Sequence, residues 1–160
     1  MLNSRTFFAL RSNIFTCLNI NITIRPFTET DRERLREIYL LCRIQAFYWC
    51  DSTQFHLEDF EAHAIGEELH VAMFGQEIAG FISVWVIDSF IHHLYVEPAY
   101  RAEGIGKALL AKAITNYPKP LTLKCLVKNE LAISFYKKQG WQVIGNGSDE
   151  LGDYYLMECR

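Results

Sequence analysis

The chain has 160 residues, half of them hydrophobic and 22% charged, with a formal net charge of −3. These values fit one domain with a single core and exclude fibrous and disordered classes. The mildly acidic balance argues against a nucleic-acid partner, whose phosphates call for a basic surface, and suits a cationic partner such as an amine.

Five cysteines occur (Cys17, Cys42, Cys50, Cys125 and Cys159), an odd number without a Cys-x-x-Cys pair. Neither a disulfide framework nor a zinc site fits this pattern, so the thiols read as buried and reduced, which points to a cytoplasmic protein. Residues 1–21 stand apart, with Arg5, Arg11 and no acid. Their longest apolar stretch, Phe7 to Leu10, is too short for a signal-peptide core, and no run in the chain is long enough to span a membrane. The composition of this leader admits a transit peptide. The preferred expectation is a non-structural extension or a translation start set too early, followed by one domain over 22–160.

Ile22 to Phe27 alternates as a first strand. Thr30 and Glu33 read as a capping box, after which Leu35, Ile38, Tyr39 and Cys42 share a helical face up to about Ala46. An aromatic cluster follows at Phe47-Tyr48-Trp49, then a short helix with Leu57, Phe60 and Ala64 that closes at Gly66. His70 to Phe74, Ile78 to Ile87 and Phe90 to Val96 read as an antiparallel meander. Gly104 opens a helix with Ile105, Leu109 and Ala113 inward, which stops before Pro118. Leu121 to Val127 is an apolar strand and Leu131 to Gln139 a helix ended by Gly140. Trp141 to Ile144 and Tyr154 to Cys159 form a last hairpin, its turn expected at Asn146-Gly147. This order predicts an α/β (α+β) fold: a mixed, mostly antiparallel central sheet with helices on both faces.

The chemistry concentrates in His92-His93-Leu94-Tyr95-Val96 and the following Arg101-Ala102-Glu103-Gly104-Ile105-Gly106-Lys107. A strand, a loop and a glycine-opened helix present unpaired N–H groups and a positive dipole end, which suit a phosphate or pyrophosphate. Two familiar phosphate motifs fail here. The P-loop needs Ser or Thr after Gly-Lys, where this chain has Ala108, and the dinucleotide fingerprint needs a third glycine that is missing.

Arg101, Gly104 and Gly106 instead resemble the acyl-CoA-binding motif of the GNAT superfamily, Arg/Gln-x-x-Gly-x-Gly/Ala. Asn129, Ala132, Phe135-Tyr136 and Gly140-Trp141 resemble that superfamily's next motif, with Trp141 in place of the usual Phe. The resemblance covers residues 22–160 and implies an acetyl-CoA-dependent N-acetyltransferase. It implies that the backbones of Leu94 and Val96 hold the pantetheine arm, with Tyr95 between them also at the cofactor, and that one N–H of Leu94 or Val96 polarises the thioester carbonyl. The turn Arg101, Ala102, Glu103, Gly104, Ile105, Gly106 and Lys107 would grip the pyrophosphate, and Asn129 and Tyr136 would also border the cofactor. Acetyl-CoA is the implied cosubstrate, with no metal and no membrane partner, and a homodimer is left open.

Two catalytic roles follow. Tyr136 is the expected general acid, since a phenol can protonate the departing thiolate. By spacing alone it reads as a tyrosine packed beside Phe135, and the resemblance reverses that reading. The attacking amine must lose a proton, and His92, two residues before Leu94 on the same strand face, is the expected base; His93 should face the other way. Glu58 and Asp51 stand in reserve. Cys125 lies in an apolar strand without a basic neighbour and reads as a structural thiol, not a nucleophile. Tyr48, Trp49 and Phe55 line an acceptor pocket or belong to the core. No His-Glu-x-x-His pair is present, so no metal is expected. The acceptor reads as the primary amine of a small molecule, attacked directly in a ternary complex. A protein or peptide amino group is the alternative, and a silent acyl-CoA sensor is the rival from another class.

Overall fold

A computed structural model describes residues 21–160, so the expected extension lies outside the described residues apart from Asn21. The strands are β1 (Ile22–Pro26), β2 (Glu68–Phe74), β3 (Glu77–Trp85), β4 (Phe90–Val96), β5 (Leu121–Leu126), β6 (Gln142–Asp149) and β7 (Gly152–Cys159). The helices are α1 (Arg32–Ala46), α2 (Asp59–Ala64), α3 (Ile105–Asn116) and α4 (Glu130–Lys138). One seven-stranded sheet has the order β1-β2-β3-β4-β5-β7-β6, and only the β4–β5 neighbours run parallel. The mixed, mostly antiparallel sheet expected from the sequence is therefore present.

The sheet separates two cores. On one face Leu35, Ile38, Tyr39 and Cys42 of α1 pack with Phe60, Val71 and Phe81. On the other, Ile105, Leu109 and Leu110 of α3 and Ile133 of α4 pack on Ile82, Ile91, Leu123 and Met157. Each such side chain, fully buried, contributes about 1.5–3 kcal/mol. The spacing of Leu35, Ile38, Tyr39 and Cys42 puts all four on one stripe, which explains why this segment is helical against a sheet.

Two local expectations are corrected. The chain enters α1 through Thr28 and Asp31, not Thr30 and Glu33. The Asp31 carboxylate accepts from the Thr28 N–H at 2.8 Å and takes a bidentate Arg25 guanidinium at 2.7 and 2.8 Å. The buried carboxylate thus ties the end of β1 to the start of the helix, which an exposed Glu33 cannot do. The last hairpin does not turn at Asn146-Gly147, because these residues pair with Tyr155 and Tyr154 inside the ladder. Gly147 is small because the Tyr154 ring covers it: a Cβ there would lie 2.5 Å from the phenol oxygen. The turn falls at Asp149 to Gly152, where Gly152 takes the positive φ of 125°.

Candidate active site

The site begins where two strands part. β4 and β5 pair only at Phe90–Thr122 and Ile91–Leu123, then diverge. The backbone of β4 beyond this point can be assigned from its other edge. The Glu97 N–H bonds directly to the Ala79 carbonyl, so that pair occupies a hydrogen-bonding position of the ladder. In an antiparallel ladder such pairs alternate with pairs whose N–H and C=O point away. Tyr95–Phe81 therefore faces β3, while the polar groups of Leu94 and Val96 face the gap left by β5. The Val96 carbonyl is partly engaged, accepting from Arg101 Nε at 3.3 Å and from Cys42 Sγ at 3.4 Å.

Below the gap, residues 101–107 form the turn into α3. Ala102 (φ 66°) and Gly104 (φ 85°) are left-handed, and the first helical hydrogen bond is that of the Ala108 N–H to the Gly104 carbonyl. The N–H groups of Ala102 to Lys107 find no protein acceptor among the described residues. Alternating left-handed residues before a helix N-terminus form a concave row of donors suited to an anion. Gly104 is required by its φ. At Gly106 the missing side chain would point at Phe135, 3.4 Å away, and at Val96, not outward at an anion. The glycine lets α3 seat against α4.

A cavity of about 720 Å³ runs from this turn along the splayed strands to Tyr136. Of the residues expected to hold the cofactor, Leu94, Tyr95, Val96, Arg101, Ala102, Gly104, Ile105, Gly106, Lys107, Asn129 and Tyr136 all line it. Glu103 does not; its side chain is exposed at the tip of the turn. Asn129 caps α4, its side chain accepting the Ala132 N–H at 3.3 Å. The donor row, the free edge of β4 and the extended volume fit an acyl-CoA.

A second cavity of about 290 Å³ opens on the opposite side of the gap. The two share Leu94, Tyr95, Asn129, Ala132 and Tyr136, so they meet at one point. Tyr136 stands at that junction, 8% exposed, with its ring against Phe135 and Trp141. Its hydroxyl makes no hydrogen bond to protein among the described residues, and burial pushes its pKa above the ordinary value. The phenol is thus protonated over the whole working range.

His92 and His93 both border the second cavity, but not as strand alternation implies. The β3–β4 register shifts between Ser83 and Val84, pairing Ser83 with His93 and Val84 with Ile91, so His92 is the extra residue of a bulge. The bulge turns both imidazoles toward one carboxylate, that of Glu67. His92 Nδ1 contacts Glu67 Oε1, and His93 Nδ1 lies 3.6 Å from Oε2. His93 is wedged among Tyr39, Tyr95 and Ser83, whose Oγ is 2.8 Å from Nδ1. Burial, helped by Arg43, lowers His93 to about 4. Burial also lowers His92, followed by the charges of His93 and Lys124, while the Glu67 contact favours its protonated form.

The reserve bases do not reach the site. Glu58 is exposed and pairs with Arg36 at 3.3 Å, and Asp51 caps the turn at Thr53. Cys125 borders the second cavity, but burial pushes its thiol up to about 12 and no cation pairs with it among the described residues, which disfavours the thiolate a nucleophile needs. The aromatic trio separates. Phe55 is core beneath Arg43, Trp49 donates its indole N–H to the Leu151 carbonyl at 3.0 Å, and Tyr48 borders the larger cavity. Sequence reasoning missed Glu67, and it missed Asp149 and Glu150 on the rim of the smaller cavity. No local motif marks them; only the strand register and the hairpin bring them in.

Comparison with known proteins agrees with this geometry. Over 65 residues the chain is 41% identical to the peptidyl-lysine N-acetyltransferase YjaB of Salmonella typhimurium, a match covering 40% of this chain and 44% of that protein. It is 31% identical over 104 residues to the peptidyl-lysine N-acetyltransferase YiaC of Escherichia coli, covering 63% and 66%. The chain thus spans less than two thirds of the length of each. The solution structure of apo YjaB from Escherichia coli superposes with a TM-score of 0.72 at 25% identity, over 86% of this chain and 97% of that one. The PaiA N-acetyltransferase of Thermoplasma acidophilum, solved with coenzyme A, shares the fold with a TM-score of 0.71 at 22% identity, over 88% and 99%. Residues 32–141 match the Acetyltransferase (GNAT) family, and with the splayed β4–β5 gap and the donor row before α3 in place, the chain belongs to that family.

Proposed function

We propose that the protein transfers an acetyl group from acetyl-CoA to the primary amine of a small molecule by direct attack, with no acyl-enzyme. The carrying observation is the meeting of two cavities at Tyr136, one starting at an anion-ready turn and the other bordered by His92. Acetyl-CoA supplies an acetyl group activated as a thioester. The N–H groups of Ala102 to Lys107 hold its pyrophosphate, and the gap-facing groups of Leu94 and Val96 hold the pantetheine arm. One of these β4 N–H groups also stabilises the oxygen that gains charge. His92 takes the proton from the amine as the new C–N bond forms. Tyr136 donates to the sulfur as the C–S bond breaks and regains its proton from solvent, and the products are an amide and CoA.

The smaller cavity supports a side-chain-sized amine. Its volume of about 290 Å³ is at the lower edge of small-molecule sites, and the Trp49–Leu151 hydrogen bond ties the α1–α2 connection to the β6–β7 turn that borders it. Asp149 and Glu150 on the rim suit an incoming ammonium ion. A second reading, acetylation of a protein lysine, draws on the same acidic rim and on the names of the relatives YjaB and YiaC.

A panel of small amines and lysine-bearing peptides, assayed by CoA thiol release, tests both. Turnover of small amines with no preference for peptides is expected. Preference for peptides would move the assignment to the second reading. Tight acetyl-CoA binding without turnover of any amine would favour a silent sensor.

A further inference from the structure

We propose that Glu67 is a positioning residue, whose carboxylate fixes the tautomer of His92 so that Nε2 carries the lone pair that takes the amine proton. The inference rests on the acetyltransfer reading above and deepens it.

Glu67 sits between α2 and β2, and its side chain is only 2% exposed. Burying a carboxylate is costly unless it is paired or hydrogen-bonded. Here Oε1 contacts His92 Nδ1, and Oε2, without a hydrogen bond, points toward His93 Nδ1 at 3.6 Å. The partner side is equally specific. An extra residue in β4, His92 itself, creates the bulge that brings two adjacent imidazoles to the same carboxylate. Regular alternation would send them to opposite faces.

The chemistry follows from donor and acceptor inventories. An ionised carboxylate only accepts, so the His92 nitrogen it touches must carry hydrogen. A neutral imidazole then has its one lone pair on Nε2. His93 has a different task. It is wedged under Tyr39 and Tyr95 and is 14% exposed, whereas His92 is 42% exposed beside the smaller cavity. His93 Nδ1 is engaged with Ser83 Oγ at 2.8 Å, so His92 is the ring of the pair that meets the amine. When His92 accepts the amine proton, the resulting imidazolium lies against the Glu67 charge, and the proton then leaves to solvent.

The other charged groups around this cavity come from four elements. Lys124 of β5 opposes protonation of His92. Arg43 of α1 is held by Asp59 at 2.6 Å, and His63 of α2 lies 2.6 Å from the Tyr39 hydroxyl. Asp149 and Glu150 border the cavity at the β6–β7 end. Among the described residues, Glu67 is the one anion in contact with His92.

Glu67→Gln keeps the side-chain shape and removes the charge. It is expected to lower kcat by at least about tenfold, leave the KM for acetyl-CoA unchanged, and move the acid limb of the kcat profile to lower pH. In a His92→Ala background the same substitution should cause no further loss. Unchanged kcat with an unmoved acid limb, or losses that multiply in the double variant, would overturn the role of Glu67. Unchanged turnover in His92→Ala alone would instead remove His92 as the base and leave the assignment of acetyltransfer standing. Should Glu67→Gln fail to fold, nitrogen NMR of the wild-type ring decides: hydrogen on His92 Nδ1 is expected, and hydrogen on Nε2 alone would refute the proposal.

Discussion

Replacing Tyr136 with phenylalanine removes one oxygen and keeps the ring against Phe135 (5.3 Å between centroids) and Trp141 (5.8 Å). The hydroxyl has no protein partner to strand, so stability should change by no more than about 0.5 kcal/mol. The larger cavity keeps its donor row and the free edge of β4, so CoA affinity should stay near wild type. Turnover is a different matter. Burial holds the phenol pKa above its ordinary value, so the group serves as a donor at every working pH and never as a base. If it protonates the departing sulfur, the variant should lose ~10²–10⁴-fold in kcat, about 2.7–5.4 kcal/mol of barrier. Thiol release, CoA binding by calorimetry and a thermal melt on one preparation separate these effects. A loss below about tenfold would mean that water protonates the thiolate and the tyrosine only orients it. Unchanged turnover in a folded variant would refute the acid role, though not the family membership.

Gly106→Leu should overpack the contact with Phe135, whose ring would lie 3.4 Å from a Cβ at this position, costing about 1–3 kcal/mol and displacing the donor row so that CoA binding weakens; wild-type melting and binding in that variant would contradict the packing. His93 titrates at about 4 in the folded chain and near 6.5 when unfolded, so the unfolded state binds more protons between these values. Its contribution of up to roughly 3 kcal/mol is complete above about pH 6.5 and is lost as pH falls toward 4; denaturant melts of wild type and His93→Gln should converge on acidification, and parallel curves would argue otherwise. Exhaustive chelation should leave turnover intact, because no three His, Cys, Asp or Glu side chains converge as metal ligands among the described residues; activity restored by added metal would overturn this.

What is legible in the sequence is what the chemistry keeps local. Arg101, Gly104 and Gly106 belong to one turn, and Asn129 to Tyr136 form one capped helix, so short spacing carries their geometry. The helical stripe Leu35, Ile38, Tyr39 and Cys42 is local in the same sense. Alternation assigns His92 a face, but the bulge that breaks alternation depends on pairing with β3. Glu67 lies twenty-five residues before His92 and becomes a partner only once β2 and β4 flank β3. Asn-Gly favours turns, yet the cross-strand Tyr154 ring sets the identity of Gly147. A glycine at position 106 suggests room for a ligand, while the helix packed behind it is what needs the space.

In the proposed reaction, acetyl-CoA and the amine occupy the two cavities together and react directly across Tyr136. Initial rates measured over a grid of acetyl-CoA and acceptor concentrations test this most directly, using the acceptor that turns over best. Double-reciprocal lines that intersect, with no CoA released in the absence of acceptor, are the predicted result. Parallel lines, together with a stoichiometric burst of CoA before acceptor is added, would reveal an acetyl-enzyme and contradict direct transfer.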